Sequence, residues 1–297
     1  MLLALLKTMR PKQWTKNIFI FGALVFDLKL FQIPSLIRTL IGFILLCLVS
    51  GTVYIINDLV DREKDRAHPQ KKYRPIASGE LNQGLATACA FIFPLVLLPL
   101  SFWLNVGFGI LMTFYLGLQL VYSFKLKQLV IIDVMTIAAG FVIRVGAGVV
   151  LIEVTRFSPW LYVCMTLLAL FLGFSKRRQE IINLQEDTKK TRSILSDYSI
   201  PFLDTMIIIV TTNTIMAYAL YTFSAPHLPD NHAMMLTIPI VMYAIFRYLY
   251  LMYIQHYGED PSEILLQDRP FQVAIVLWGI SAIVAVYWGS IARLLSR

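Results

Sequence analysis

Charge is scarce in this chain. Asp, Glu, Lys and Arg make up 15% of its 297 residues, against about a quarter of an ordinary soluble domain. Acid is scarcer than base, with 18 Asp and Glu against 26 Lys and Arg, for a formal net charge of +8. Cysteine is rarer still. Cys47, Cys89 and Cys164 all lie inside apolar runs. They have no metal-ligand spacing and suggest no disulfide framework, so they read as small buried hydrophobes. The N-terminal stretch does not read as a secretory leader. The opening MLLALLKTMRPKQW has no basic region ahead of its short apolar run and no small-residue cleavage site; it reads as an interfacial segment.

What is abundant is grease. Residues of apolar type make up 58% of the chain, in recurring runs of roughly twenty, each long enough to cross a hydrocarbon core. Such runs must cross as helices, because backbone groups in lipid need internal partners. The expected fold is therefore an all-α polytopic membrane protein, one transmembrane domain over 1–297 with no room for a separate soluble domain. Nine spans are expected, at about 17–34, 38–56, 85–104, 106–124, 130–151, 159–175, 202–223, 234–255 and 271–291. Asp27 and Lys29 interrupt the first, and little more than Asn105 separates the third from the fourth.

With the N-terminus in the cytoplasm, most Lys and Arg fall on the cytoplasmic side, and few, such as Lys29, Arg38 and Arg156, fall outside. This predicts a multi-pass protein of the cell inner (plasma) membrane whose polar clusters all face the cytoplasm. It also explains the basic balance by topology and anionic substrates, with no nucleic acid as partner. The break at Ser224–His232 has ordinary turn chemistry, and His227 and His232 read as solvated loop histidines.

The most polar stretch is Asn57–Pro75, NDLVDREKDRAHPQKKYRP, directly after a long apolar run. Asn57, Asp61 and Asp65 recur every fourth residue, which on a continuing helix turns each by only about 40° from the last. Three oxygen-bearing side chains on one face suit Mg2+. Arg62, Lys64, Arg66, Lys71, Lys72 and Arg74 interleave or follow, and suit phosphate. The stretch reads as a Mg-diphosphate site at a membrane surface; the plain alternative is a charged loop that sets topology. Asp58 lies off the main face, either reaching a second ligand or capping the helix end. His68, before Pro69, reads equally as an acid or as a turn residue.

A second cluster, Ser175-Lys176-Arg177-Arg178-Gln179-Glu180, closes the sixth expected span and opens a long loop to about residue 201. A positive-inside anchor explains it as well as a binding role does. The remaining candidates are dispersed. Lys16 and Asn17 border the first span and are placed to meet a headgroup phosphate. Tyr122, Ser123, Lys125, Lys127 and Asp133 flank the loop between the fourth and fifth spans. Arg144 sits mid-span, where a cation needs a partner or a substrate. Tyr198 lies in the second long loop, for packing or for contact.

Several segments together resemble the UbiA superfamily of intramembrane prenyltransferases, and within it the decaprenyl-phosphate phosphoribosyltransferase branch. They are RPKQWTKN at Arg10–Asn17, NDLVDREKDRAHPQKKYRPIA at Asn57–Ala77, YSFKLKQLVIIDV at Tyr122–Val134, GFVIRVGAG at Gly140–Gly148, GFSKRRQE at Gly173–Glu180 and RSILSDYSIPFLD at Arg192–Asp204. The resemblance implies nine transmembrane helices, two polar motifs on the cytoplasmic face, and Mg2+. Aromatic prenyltransferases of this fold carry a second DxxxD motif after the sixth span; here Ser175, Lys176, Arg177 and Glu180 stand in its place. Fewer carboxylates and more cations imply more phosphate to hold.

The activity implied is transfer of 5-phosphoribosyl from phosphoribosyl pyrophosphate to a polyprenyl phosphate; an aromatic prenyltransferase is the alternative, and a transporter or non-catalytic lipid-phosphate binder a third. The implied metal ligands are Asn57, Asp61 and Asp65, and the catalytic residues Asp58, Asp61 and Lys176. The implied substrate contacts are Lys16, Asn17, Arg66, Lys72, Arg74, Tyr122, Lys127, Arg144, Ser175, Lys176, Arg177, Glu180 and Tyr198. Association into a homo-oligomer is left open.

Overall fold

The computed structural model describes residues 1–154, 158–186, 193–225, 228, 231–255, 264 and 267–295. Every regular element among them is helical. In chain order the α-helices are α1 (Leu2–Thr8), α2 (Gly22–Phe26), α3 (Ile33–Val60), α4 (Arg62–Arg66), α5 (Pro75–Ser78), α6 (Gln83–Leu104), α7 (Val106–Phe124), α8 (Ile132–Leu151), α9 (Pro159–Glu186), α10 (Ile200–Ser224), α11 (Ile238–Tyr253) and α12 (Arg269–Leu295). Eight segments among the described residues are long and apolar enough to cross a membrane: α3, α6, α7, α8, α9, α10, α11 with the turn before it, and α12.

The first expected span is not one of these. Residues Pro11–Phe21 wind as 3-10 turns and pass into the short α2. The interruption seen in the sequence is resolved locally, where Lys29 pairs with Asp27 at 2.9 Å and Leu28 takes a positive φ of 57°. A buried carboxylate and a cation two residues apart neutralise each other more readily than either crosses lipid alone. The other difference concerns the second polar cluster. The expected loop after residue 175 begins as helix, because α9 runs on to Glu186 and carries Ser175–Glu180 within it.

The chain divides into two compact units. The first comprises Met1–Leu24, Leu30–Lys125 and Ile143–Glu153. In it α3 packs on α6, α7 and the 3-10 segment, around Ile20, Leu46, Phe108, Met112 and Leu151, all fully buried. Gly148 lets α8 approach that segment closely, since a Cβ there would collide with the backbone oxygen of Ile20. Asn105 caps α7 through Phe108 N–H at 3.0 Å, so two apolar helices can follow each other with almost no connection. Large apolar side chains such as Phe91, Leu95 and Trp103 on α6 stay exposed, as lipid-facing positions do.

The second unit comprises Val25–Lys29, Leu126–Val142 and the chain from Val154 onward. There α9 packs along α10, and α11 along α12. Its core joins Val134, Phe174, Leu203, Ile207 and Leu251 to Tyr198 of the turn after α9.

Candidate active site

In the first unit the Asp-rich stretch is built at a helix break. Helix α3 ends at Val60 and α4 begins at Arg62, with Asp61 between them at φ −91°, ψ 8°. The backbone ladder nevertheless runs through: Asp61 N–H donates to Asn57 O at 2.9 Å and Asp65 N–H to Asp61 O at 2.8 Å. The fourfold spacing thus holds Asn57, Asp61 and Asp65 one turn apart. Pro69 then closes the run, and His68 is a turn residue whose Nδ1 accepts the N–H groups of Gln70 and Lys71 at 3.2 and 3.3 Å.

The carboxylates here differ sharply in partners. Asp58 is 2% exposed and Asp65 4%. Arg74 donates from Nη1 to Asp65 Oδ2 at 2.7 Å and to Asp58 Oδ1 at 3.2 Å. Arg10 donates from Nη2 to the same Asp58 oxygen at 2.6 Å. Asp61 stands partly open at the break. Asn57 accepts the hydroxyl of Ser123. Arg66 lies beside them, exposed, with Nε on Ala77 O at 3.2 Å, and the exposed Lys72 ammonium sits 5.1 Å from the Tyr73 ring centre.

Two other expected contacts in this unit are buried together. Arg144 donates to Asn17 Oδ1 at 2.8 Å and to Tyr115 OH at 2.9 Å. Asn17 in turn donates to Cys47 Sγ and Ser50 Oγ, each at 3.2 Å. Arg144 therefore has the internal partners that its depth demands. Lys16 and Tyr122 are half-buried residues of the same unit.

The second cluster, in the second unit, is a network of charges. Arg177 is 1% exposed and Asp133 0%. Arg177 donates from Nε to Asp133 Oδ2 at 2.6 Å and from Nη1 to Glu180. Tyr198 donates to Asp133 Oδ1 at 2.7 Å and accepts Ile131 N–H at 2.6 Å. Burial first, and then that bond to Asp133, raises the Tyr198 phenol above its ordinary pKa and keeps it a donor. Arg178 pairs with Asp204 at 2.6 Å and lies 4.2 Å from the Tyr253 ring centre. Lys176 is half-buried and forms no ion pair with a described residue. Ser175 is buried, and its hydroxyl has no hydrogen-bond partner among the described residues. Lys127 is half-buried in the turn before α8.

Asp204 and Arg10 were not singled out as site residues from the sequence, and Asp133 was noted only as flanking the loop before α8. Asp133 carried a usable signal. A carboxylate in the first turn of an apolar span must find a cation, and Arg177 is that cation.

Among the described residues no three His, Cys, Asp or Glu side chains form a ready-made metal cage. The donors nonetheless fit Mg2+. An amide oxygen on Asn57 and a carboxylate on Asp61, one turn apart, leave positions for water and phosphate, the usual way this ion is held.

The UbiA prenyltransferase family profile matches residues 18–266. The chain belongs to the UbiA prenyltransferase family. It is a multi-pass membrane enzyme of that transferase family, as the eight apolar helices require. It is 29% identical, over 96% of its length and 92% of the relative's, to a decaprenyl-phosphate phosphoribosyltransferase of Mycolicibacterium smegmatis. To the protein of that name from Corynebacterium glutamicum it is 30% identical, over 95% and 86%. A UbiA homologue from Archaeoglobus fulgidus, solved bound to GPP and Mg2+, superposes with a TM-score of 0.72 at 19% identity, covering 95% of this chain and 99% of that one. That last likeness is one of fold.

Proposed function

We propose that this UbiA-family enzyme transfers the 5-phosphoribosyl group of phosphoribosyl pyrophosphate to a polyprenyl phosphate, releasing diphosphate, at the cytoplasmic face of the plasma membrane. The observation that carries the reading is the near-complete match to two relatives that bear the name of this activity. The second cluster supports it. Where a second pair of metal-binding carboxylates would stand, α9 presents Ser175 and Lys176, and the carboxylate of that stretch, Glu180, is engaged by Arg177.

Asn57 and Asp61 would hold Mg2+ on the leaving diphosphate, with Asp65 beside them. The metal, when bound, supplies positive charge to the departing oxygen. The protein's own residues do the rest. In the first unit Lys72 binds phosphate oxygens, with Arg66 and Lys16 as further candidates, and in the second Lys176 does, with Lys127 as a further candidate. Arg177 and Tyr198 act through their buried bonds to Asp133, which hold the start of α8 against α9. The acceptor phosphate is already anionic, so it needs positioning more than a general base. Its oxygen bonds to the anomeric carbon as the bond to diphosphate breaks, with inversion at that carbon.

A second reading is an aromatic prenyltransferase, favoured by the A. fulgidus homologue solved with GPP and Mg2+. Purified protein given radiolabelled phosphoribosyl pyrophosphate, polyprenyl phosphate and Mg2+ decides between them. Labelled lipid is the expected product. No labelled lipid, with prenylation of an aromatic acid instead, supports the second reading and ends the first.

A further inference from the structure

The side chain of Asp58 is nearly inaccessible, yet two arginines from distant parts of the chain meet on one of its oxygens. Arg10 arrives from the turn after α1 and Arg74 from the segment before α5; their donor nitrogens lie 2.6 and 3.2 Å from Asp58 Oδ1. Two guanidinium groups on one oxygen are necessarily close neighbours, and like charges at such range repel. Asp58 and Asp65 balance the two charges in number, but Asp65 reaches Arg74 alone, so Arg10 depends on the shared Asp58.

Arg10 is held with unusual care. Its backbone is left-handed, φ 54° and ψ 66°, a region that ordinary residues avoid and that recurs at functional sites. Its guanidinium carbon lies 4.9 Å from the centre of the Tyr54 ring, so one face is covered by the ring and one edge by Asp58. Both arginines keep part of their side chains open, at 31% and 28%. Nε and Nη1 of Arg10, and Nε and Nη2 of Arg74, make no hydrogen bond to the described protein. A guanidinium fork with its plane fixed and its remaining N–H groups in the open is suited to phosphate oxygens.

We infer that Asp58 is a positioning residue, and that through it Arg10 and Arg74 form a paired-guanidinium site for a phosphate group of the substrates. This rests on the proposed function only in taking a phosphate-bearing substrate, and a prenyl diphosphate would serve as well. Asp58 then differs in kind from Asp61. It orders the arginines, and the metal does not depend on it. Two sources offer the same chemistry, the diphosphate of the donor and the phosphate of the lipid acceptor.

The test uses the full-length protein in detergent, with inorganic pyrophosphate and polyprenyl phosphate as separate probes, and reads both binding and the Mg2+ midpoint for turnover. Arg10→Gln should weaken one probe about tenfold or more and leave the Mg2+ midpoint unchanged; the probe that weakens names the source. Asp58→Asn should raise KM for the corresponding substrate with a smaller effect on kcat. Combined with Arg10→Gln it should add little, as coupled partners do. Arg10→Lys should recover part of the loss by charge alone. If Asp58→Asn does not fold, the two Arg10 variants, whose side chain is partly exposed, still decide. Unchanged binding of both probes by Arg10→Gln overturns the inference. So does an Asp58→Asn protein whose Mg2+ midpoint rises tenfold while substrate KM stays put, since Asp58 would then be a metal ligand.

Discussion

Asp133 shows how much one side chain can organise. It receives Arg177 on one oxygen and Tyr198 on the other, with Asp133 and Arg177 essentially inaccessible. Removing one member of a buried pair strands the other charge, at about 3–5 kcal/mol. Asp133→Asn should therefore destabilise the protein by up to about that much in chemical unfolding, since Arg177 keeps Glu180. Tyr198→Phe should cost about 1–3 kcal/mol, because Ile131 N–H loses its acceptor. Asp61 stands at the break between α3 and α4. Asp61→Ala is expected to abolish Mg2+-dependent turnover of purified protein; intact turnover would refute its role with the metal.

Elements meet closely where small residues allow it. Gly148 on α8 faces the backbone of Ile20, and backbone cannot swing aside as a side-chain tip can. Gly148→Ala is expected to destabilise by about 1–3 kcal/mol through overpacking, visible as a lowered melting temperature. A different junction ties α11 to α12. Arg247 holds Asp268 at 2.8 Å, and Asp268 also caps α12 by accepting Phe271 N–H at 2.8 Å. The bond from Arg247 holds the Asp268 carboxyl below the usual carboxylate range. A depressed folded pKa stabilises above the unfolded value, near about 4, and that contribution disappears as pH falls through the folded value. Acidification below the ordinary carboxylate range should thus lower the melting temperature of the wild-type protein, and of Asp268→Asn by less.

Across the whole chain the helical class and most spans were legible, because about twenty apolar residues admit little else in lipid. The 17–34 segment was less so. Its average is apolar, but Asp27 and Lys29 make a local pair, and 3-10 turns replace a straight helix. The candidate site was legible in its regular part. Asn57, Asp61 and Asp65 announce themselves by spacing, whereas Arg10, Asp133 and Asp204 are isolated residues whose meaning depends on who stands opposite. The orientation proposed from the basic bias can be tested too. A single cysteine in place of Lys64, in a variant lacking Cys47, Cys89 and Cys164, should react with an impermeant thiol reagent only when the cytoplasmic side is open; labelling from outside would reverse the topology.

By itself the sequence determined the membrane class, the helical architecture and the oxygen-rich Asn57–Asp65 face, all of which depend on local composition and period. Tertiary structure alone decided which charges remain available. Arg177 and Arg178, cations on paper, are neutralised by Asp133, Glu180 and Asp204, and Asp58, a carboxylate on paper, lies beneath Arg10 and Arg74. The physical reason is that an ion in a poorly solvated place is defined by its partner, and partners far apart in the chain meet only when it folds.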